Sequence, residues 1–278
     1  MTHGVQAQPI TQRTRIMGVL NATPDSFYAP SRIDRSADIV QCAAKMIEHG
    51  ADLLDIGGES SRPGSDPVST EEELARVLPQ LHALRPLEAT LSIDTYRADT
   101  ARQAIAAGAT LVNDITALRG DDAMAGVVAD SACECVLMHM LGTPKSMQHA
   151  PCYDDVVDDI SAFFEERIAF ATGQGISEKK IWLDPGFGFG KTVGHNLTLL
   201  RRLGELKRFG LRLLIGTSNK STIGTVLDLP VDQRLEGTAA TIAIAIHNGA
   251  DAVRVHDVAA MARVVRMSDA IVGKAHHD

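Results

Sequence analysis

Eight short apolar runs recur along this 278-residue chain about every 30 residues, and each breaks off at a polar or glycine-rich turn. The breaks hold nearly all of its unusual polar residues: Leu20-Asn21-Ala22-Thr23-Pro24, Gly57-Gly58-Glu59-Ser60, Ile93-Asp94-Thr95, Val112-Asn113-Asp114, Met138-His139-Met140, Leu183-Asp184-Pro185-Gly186, Ser218-Asn219-Lys220-Ser221 and Arg254-Val255-His256-Asp257. Short apolar runs bounded by Gly, Pro, Asn or Asp read as buried strands. They are predicted at 15–20, 53–56, 90–94, 110–114, 134–139, 180–184, 212–216 and 252–255.

Helical segments lie between them, including 36–49, 70–84, 99–107, 155–174, 197–209 and 233–248; Val156, Ile160, Phe163, Phe164, Ile168 and Ala171 follow helical spacing. Strict alternation of strand and helix implies right-handed parallel crossovers, and eight repeats favour closing the sheet over leaving it open. The expected fold class is therefore α/β, a single-domain (β/α)8 TIM barrel over 15–274, with 1–14 a flexible N-terminal extension and 275–278 a tail. His49-Gly50-Ala51, Ala107-Gly108-Ala109 and Asn248-Gly249-Ala250 read as helix ends, with Gly supplying the left-handed residue.

Hydrophobic residues make up 45% of the chain, enough for a large aliphatic core. The net charge of -8, with no Lys/Arg-rich block, argues against nucleic acid as a partner. No apolar stretch reaches the roughly 18 residues of a membrane span, and Met1 to Gln12 is polar without a signal-peptide core, so no membrane role and a cytoplasmic location are expected. Of the four cysteines, Cys133 and Cys135 are too closely spaced for a disulfide and offer too few sulfurs for a closed zinc site. A metal cluster with His139 and Cys152 is the alternative to buried, reduced thiols.

A (β/α)8 barrel carries its chemistry where the strands end. Asp94, Asn113 and Asp184 close strands three, four and six, offering acceptors and an amide for the edge of a nitrogen heterocycle. Each alone would pass as a cap or turn former; three in equivalent places favour a site. Lys220 and Ser221 open the helix after strand seven, and Arg254 and His256 close strand eight, around the two loops where such barrels bind phosphate. Asp184-Pro185-Gly186-Phe187-Gly188-Phe189-Gly190-Lys191-Thr192 ends like a phosphate-binding loop, but Pro185 stands where that loop requires Gly. Its alternate glycines instead suit a loop that approaches a flat ligand, with Phe187 and Phe189 on opposite sides. The first two loops, 21–31 and 59–69, are long and rich in Pro, Ser and Gly, as binding loops are.

Together these segments resemble the dihydropteroate synthases, from about Ile16 to Val265. The matches run in order through Met17-Gly18-Val19-Leu20-Asn21, Thr23-Pro24-Asp25-Ser26-Phe27, Gly57-Gly58-Glu59-Ser60, Met138-His139-Met140, Leu183-Asp184-Pro185-Gly186 and Arg254-Val255-His256-Asp257-Val258. The resemblance implies a homodimer that joins p-aminobenzoate to a dihydropterin pyrophosphate, releasing pyrophosphate with the help of Mg2+, and that sulfonamides inhibit. It assigns the pterin to Asp94, Asn113, Asp184 and Lys220 with Met138 on the ring, and the pyrophosphate to Asn21, Arg254 and His256, Asn21 being the Mg2+ contact. It assigns p-aminobenzoate to Phe27, Ser61, Pro63, Phe189 and Ser221, with Arg62 reaching over. Asp94, Lys220 and Arg62 are then the catalytic candidates.

Loss of pyrophosphate from an exocyclic methylene leaves a resonance-stabilised cation, so such a site needs charge on the leaving group rather than a nucleophile. Three positions depart from the family pattern: Tyr28-Ala29-Pro30 replaces Asp-Gly-Gly, Ser61 replaces Thr, and Asn219 replaces the Arg before the lysine. Two other readings stay open, a non-catalytic pterin-binding paralogue and a pterin-dependent methyltransferase domain.

Overall fold

The computed structural model describes residues 12–22, 35–60, 64–131 and 133–274. Strands and helices alternate: β1 (Arg15–Asn21), α1 (Arg35–Glu48), β2 (Leu53–Gly57), α2 (Thr70–Leu84), β3 (Thr90–Asp94), α3 (Ala98–Ala106), β4 (Leu111–Asp114), α4 (Met124–Ser131) and β5 (Glu134–Met138). The second half continues with α5 (Val156–Gly173), β6 (Ile181–Asp184), α6 (Val193–Arg201), β7 (Arg212–Ile215), α7 (Ser221–Leu227), α8 (Leu235–His247), β8 (Ala252–Val255) and α9 (Val258–Val272). Each strand pairs in parallel with the next, and β8 returns to β1, giving one closed barrel with helices outside it.

Successive side chains on a strand point to opposite faces, so each strand feeds two compartments. Met17, Leu53, Leu111, Val136, Trp182, Leu214 and Ala252 form a fully enclosed cluster inside the barrel. Residues one position away, among them Ile16, Leu54, Val112, Leu137, Leu183, Leu213 and Val253, pack outward into the larger core beneath the helices. Burying each such aliphatic side chain contributes roughly 1.5–3 kcal/mol. At the lower end the guanidinium groups of Arg15 and Arg212 lie 5.4 and 5.2 Å from the Trp182 ring centre, and Arg212 pairs with Glu134. Two positions further along each strand, the inward parity reaches the mouth.

Gly50, Gly108 and Gly249 take φ of +104°, +119° and +95°, so the expected helix ends hold. The helix expected over 197–209 is broken: α6 ends at Arg201 and a 3-10 segment, Leu203–Phe209, follows. Asn248 Nδ2 takes the Leu200 carbonyl at 2.7 Å, an acceptor that the α-helical ladder would otherwise use. Cys133 and Cys135 are buried free thiols, and burial pushes the Cys135 thiol up to about 12, but Cys152 is exposed. Among the described residues no three His, Cys, Asp or Glu side chains group as metal ligands, so the cysteine–histidine alternative is not formed there. No described helix is long and apolar enough to cross a membrane.

Candidate active site

Register sets the site. Asn21 pairs with Gly57, Gly57 with Asp94, and Asp94 with Asn113, so three polar side chains lie in one inward-facing layer with a glycine between two of them. Asp184 pairs with Met138 on the next two strands. Arg254 projects inward from β8, two residues above the enclosed Ala252, and Asp55 does the same from β2, two residues above Leu53.

Asp55 ties this layer together. Its Oδ1 accepts a hydrogen bond from Ser92 Oγ at 2.5 Å, and its Oδ2 accepts from Asn113 Nδ2 at 3.0 Å and from Arg254 Nε at 2.6 Å. Arg254 Nη2 donates to Asp94 Oδ2 at 2.8 Å. One guanidinium thus bridges two carboxylates at the centre of the mouth. Burial opposes the Arg254 charge, but Asp55 and Asp94 offset it and its pKa is raised. Burial drives the Asp94 carboxyl up to about 7 despite Arg254, with Asp55, Glu73 and Asp114 adding to the rise.

Across the mouth, Asp184 is buried, and burial raises its pKa against the opposing pull of Lys220. Its Oδ1 accepts the Gly186 N–H at 2.7 Å. Lys220 donates to the Phe187 carbonyl and lies 4.4 Å from the Phe189 ring centre. Burial lowers the Lys220 amine to about 8, with Asp184 resisting. Gly216, the inward position after β7, lies between the two cations: a Cβ there would make ordinary contacts of 3.7 Å with Arg254 Cβ and 3.9 Å with Lys220 Nζ.

Met138 is buried with Ile115, Met140 and Met147, and Tyr96 and Phe189 pack against this group. Phe187 turns into the core while Phe189 stays half-buried at the mouth, as the alternating glycines suggested. Ile115, Met140 and Tyr96 also line an adjoining cavity of about 520 Å³ beneath Thr143-Pro144-Lys145. His256 is exposed at the rim, and its Nδ1 lies 2.9 Å from the buried Ser218 Oγ. Ser221 is exposed at the first turn of α7. Asn219 sits in the left-handed region at φ 57°, where Asn is among the better tolerated non-glycine residues.

The described site therefore gathers Asn21, Asp94, Asn113, Met138, Asp184, Phe189, Lys220 and Arg254, with His256 and Ser221 at its edge. Phe27, Ser61, Arg62 and Pro63 lie outside the described residues. Two residues that sequence reasoning did not select belong to the assembly: Asp55, inside the apolar run Leu53-Leu54-Asp55-Ile56, and Lys191, fully enclosed behind the glycine loop. A lone carboxylate within a buried strand was the available signal for Asp55, since such a charge needs a partner. Asp114, one residue past Asn113, faces the other way and holds the N–H groups of Thr116 and Leu118 at 2.7 and 2.8 Å, pinning a turn rather than facing the mouth.

Comparison with known proteins matches the same span. A family described as "Pterin binding enzyme" matches residues 17–256. A dihydropteroate synthase of Synechocystis is 45% identical over 262 residues, covering 94% of this chain and 91% of that one. The Yersinia pestis dihydropteroate synthase solved with a sulfonamide drug complex superposes with a TM-score of 0.87 at 43% identity, covering 93% of this chain and 94% of that one. The Clostridium difficile dihydropteroate synthase, solved in the presence of pteroic acid, gives 0.89 at 44% identity over 96% of this chain and 100% of that one. The chain belongs to the pterin-binding enzyme family and, within it, to the dihydropteroate synthases.

Proposed function

We propose that this chain is a transferase that condenses 6-hydroxymethyl-7,8-dihydropterin pyrophosphate with p-aminobenzoate, giving 7,8-dihydropteroate and pyrophosphate. The observation that carries this reading is the convergence of Asp94, Asn113, Asp184, Lys220 and Arg254 on one barrel mouth, in a chain matched to the pterin-binding family over 17–256. Asp184 and Asn113 supply the acceptor and amide functions that recognise a pterin ring edge, and Met138 offers an apolar face for the ring. Lys220 serves the pterin on one side and the aromatic amine on the other, where Phe189 and Ser221 border it. Asn21, Arg254 and His256 serve the pyrophosphate.

The chemistry follows from charge. The carbon–oxygen bond of the exocyclic methylene breaks and its electron pair leaves with pyrophosphate, leaving a delocalised cation. Arg254 and the rim cations stabilise the departing anion, while the Asp94 carboxylate balances the cation. The aromatic amine then attacks the methylene carbon and loses a proton. With a carboxyl pKa near 7, Asp94 is suited to accept it near neutral pH.

The donor set fits Mg2+ carried in with the substrate rather than a resident metal. The half-buried amide Asn21 ends β1, and the described residues hold no cluster of three metal-ligating side chains. A small hard cation keeps most of its shell as water and phosphate oxygens and needs only one or two protein oxygens. Asn21 would hold it, and the ion would neutralise charge on the leaving group.

Val226 and Leu227 on α7, Val231, and Leu235 and Ile244 on α8 are exposed apolar side chains, which supports a homodimer formed through this side. A cytoplasmic location and sulfonamide inhibition complete the proposal; the Yersinia relative's sulfonamide complex supports the latter.

The test is turnover of the pterin pyrophosphate and p-aminobenzoate with Mg2+, following both products. Equimolar dihydropteroate and pyrophosphate, lost in Asp94→Asn, are expected. No product, alongside thermal stabilisation by the pterin pyrophosphate, would refute catalysis and leave a pterin-binding protein.

A further inference from the structure

The loop after β6 is held to an unusual degree. All five carbonyls from Gly186 to Gly190 accept from side chains elsewhere: Gly186 from Lys191 Nζ at 3.0 Å, Phe187 from Lys220 Nζ, Gly188 from Gln148 Nε2 at 2.7 Å, Phe189 from Lys191 Nζ at 3.1 Å, and Gly190 from the Tyr153 hydroxyl at 2.7 Å. The Gly188 N–H donates to Asn196 Oδ1 at 2.8 Å. Gly186, at φ 68°, passes so close to the preceding loop that a Cβ would lie 1.9 Å from the His139 carbonyl oxygen.

Lys191 sits at the centre of the tethers. It is 3% exposed, and its Nζ also lies 3.0 Å from His139 Nδ1. Burial, with Lys191 and Arg119 adding, holds His139 neutral down to about 2, so Nδ1 is available as an acceptor. Burial lowers the Lys191 amine to about 7, with Asp184 resisting, and the three acceptors around it, two loop carbonyls and one imidazole nitrogen, match the three N–H donors of its protonated form. Nothing in the proposed chemistry uses this amine directly, yet the loop it clamps carries the Phe189 ring and the Phe187 carbonyl, the two groups that contact Lys220.

We propose that Lys191 is a positioning residue for the aromatic-amine side of the site: its Nζ ties the Gly186–Gly190 loop to His139, and the tied loop sets where Phe189 and Lys220 stand. This rests on the transferase reading for its kinetic consequence, but not for its structural one. On the pterin side, Asp94 and Asn113 are anchored through Asp55 and Arg254, away from the loop, whereas Asp184 accepts the Gly186 N–H and Lys220 donates to the Phe187 carbonyl. Loosening the loop therefore falls harder on the aromatic amine, which Phe189 borders, than on the pterin, which keeps Asp94 and Asn113.

The experiment uses the full-length protein, Lys191→Met and Gln148→Ala. Gln148 is exposed and holds only the Gly188 carbonyl, so its variant keeps the question open if Lys191→Met fails to fold. Steady-state kinetics should give a KM for p-aminobenzoate raised at least tenfold in Lys191→Met and about threefold in Gln148→Ala, with the dissociation constant for pterin pyrophosphate raised by a clearly smaller factor in each. Independently of turnover, acetic anhydride labelling read by mass spectrometry should show Lys220 at least fivefold more reactive in Lys191→Met, relative to the exposed Lys179. Equal losses for both substrates, or no change in either, would overturn the proposal. If the native protein makes no dihydropteroate, the transferase reading fails, and the labelling decides the positioning: unchanged Lys220 reactivity in both folded variants overturns it.

Discussion

Replacing Asp55 tests how the mouth is organised. Its carboxylate is fully buried and accepts from Ser92, Asn113 and Arg254, each donor reaching it from a different strand. In Asp55→Asn the new side chain keeps one acceptor oxygen and presents an NH2 to groups that are themselves donors. With the amide oxygen in the Oδ1 position Asn113 and Arg254 both lose their acceptor, and in the Oδ2 position they share a neutral one while the NH2 faces Ser92; either way Asp94 is the one carboxylate left on Arg254. Breaking one partner of a buried ion pair costs about 3–5 kcal/mol; the second carboxylate on Arg254 places this case at the lower end, about 3 kcal/mol. At roughly 2–4 °C per kcal/mol for a large domain, the midpoint of thermal unfolding should fall by about 6–12 °C. Asn113 and Arg254 lose their common anchor, so pterin pyrophosphate affinity should fall at least tenfold, about 1.4 kcal/mol. Thermal and urea unfolding measure the first effect, and titration calorimetry with pterin pyrophosphate measures the second. An unchanged melting midpoint together with native affinity would refute the view that Asp55 holds the layer in register.

Three further outcomes are expected. Asp184→Ala should remove a buried carboxylate contact worth about 2–5 kcal/mol, weakening pterin binding by roughly thirtyfold or more; calorimetry giving native affinity would end the pocket assignment. Native His139 stays neutral while an unfolded histidine takes up a proton below its usual pKa of about 6.5, so acidification favours the unfolded chain. Stability should thus fall by about 1.4 kcal/mol per pH unit from this group as pH drops below about 6.5, and His139→Gln should lose that component in urea titrations at pH 6, 5 and 4; parallel pH slopes in both proteins would contradict it. Chelation of Mg2+ by EDTA should abolish turnover and leave binding of a pterin lacking the pyrophosphate unchanged, which calorimetry can check; full activity after exhaustive chelation would remove the ion from the reaction.

Much of the barrel was legible because its signals are local. Short apolar runs, turn formers at their ends and Gly-Ala at three helix exits each act over a few residues. They placed all eight strands close to where they stand, including Thr90–Asp94 and Ala252–Val255 at both boundaries. The mouth residues were legible for the same reason, since Asp94, Asn113 and Asp184 mark where an apolar run stops. The helix expected over 197–209 ends at Arg201 instead, where Asn248, 48 positions along the chain, donates to the Leu200 carbonyl, a contact that no local signal announces.

The chain by itself determined the alternation of strand and helix, the placing of Asp94, Asn113 and Asp184 at strand ends, and a glycine loop able to approach a neighbour. Tertiary structure decided which charges meet. Asp55 finds Arg254 199 residues away, and Lys191 finds His139 52 residues back. Neither pairing has a periodicity or a spacing to announce it. Both exist because a closed barrel brings distant strands and their loops within hydrogen-bond reach, where a buried charge is stable only with its partners in place.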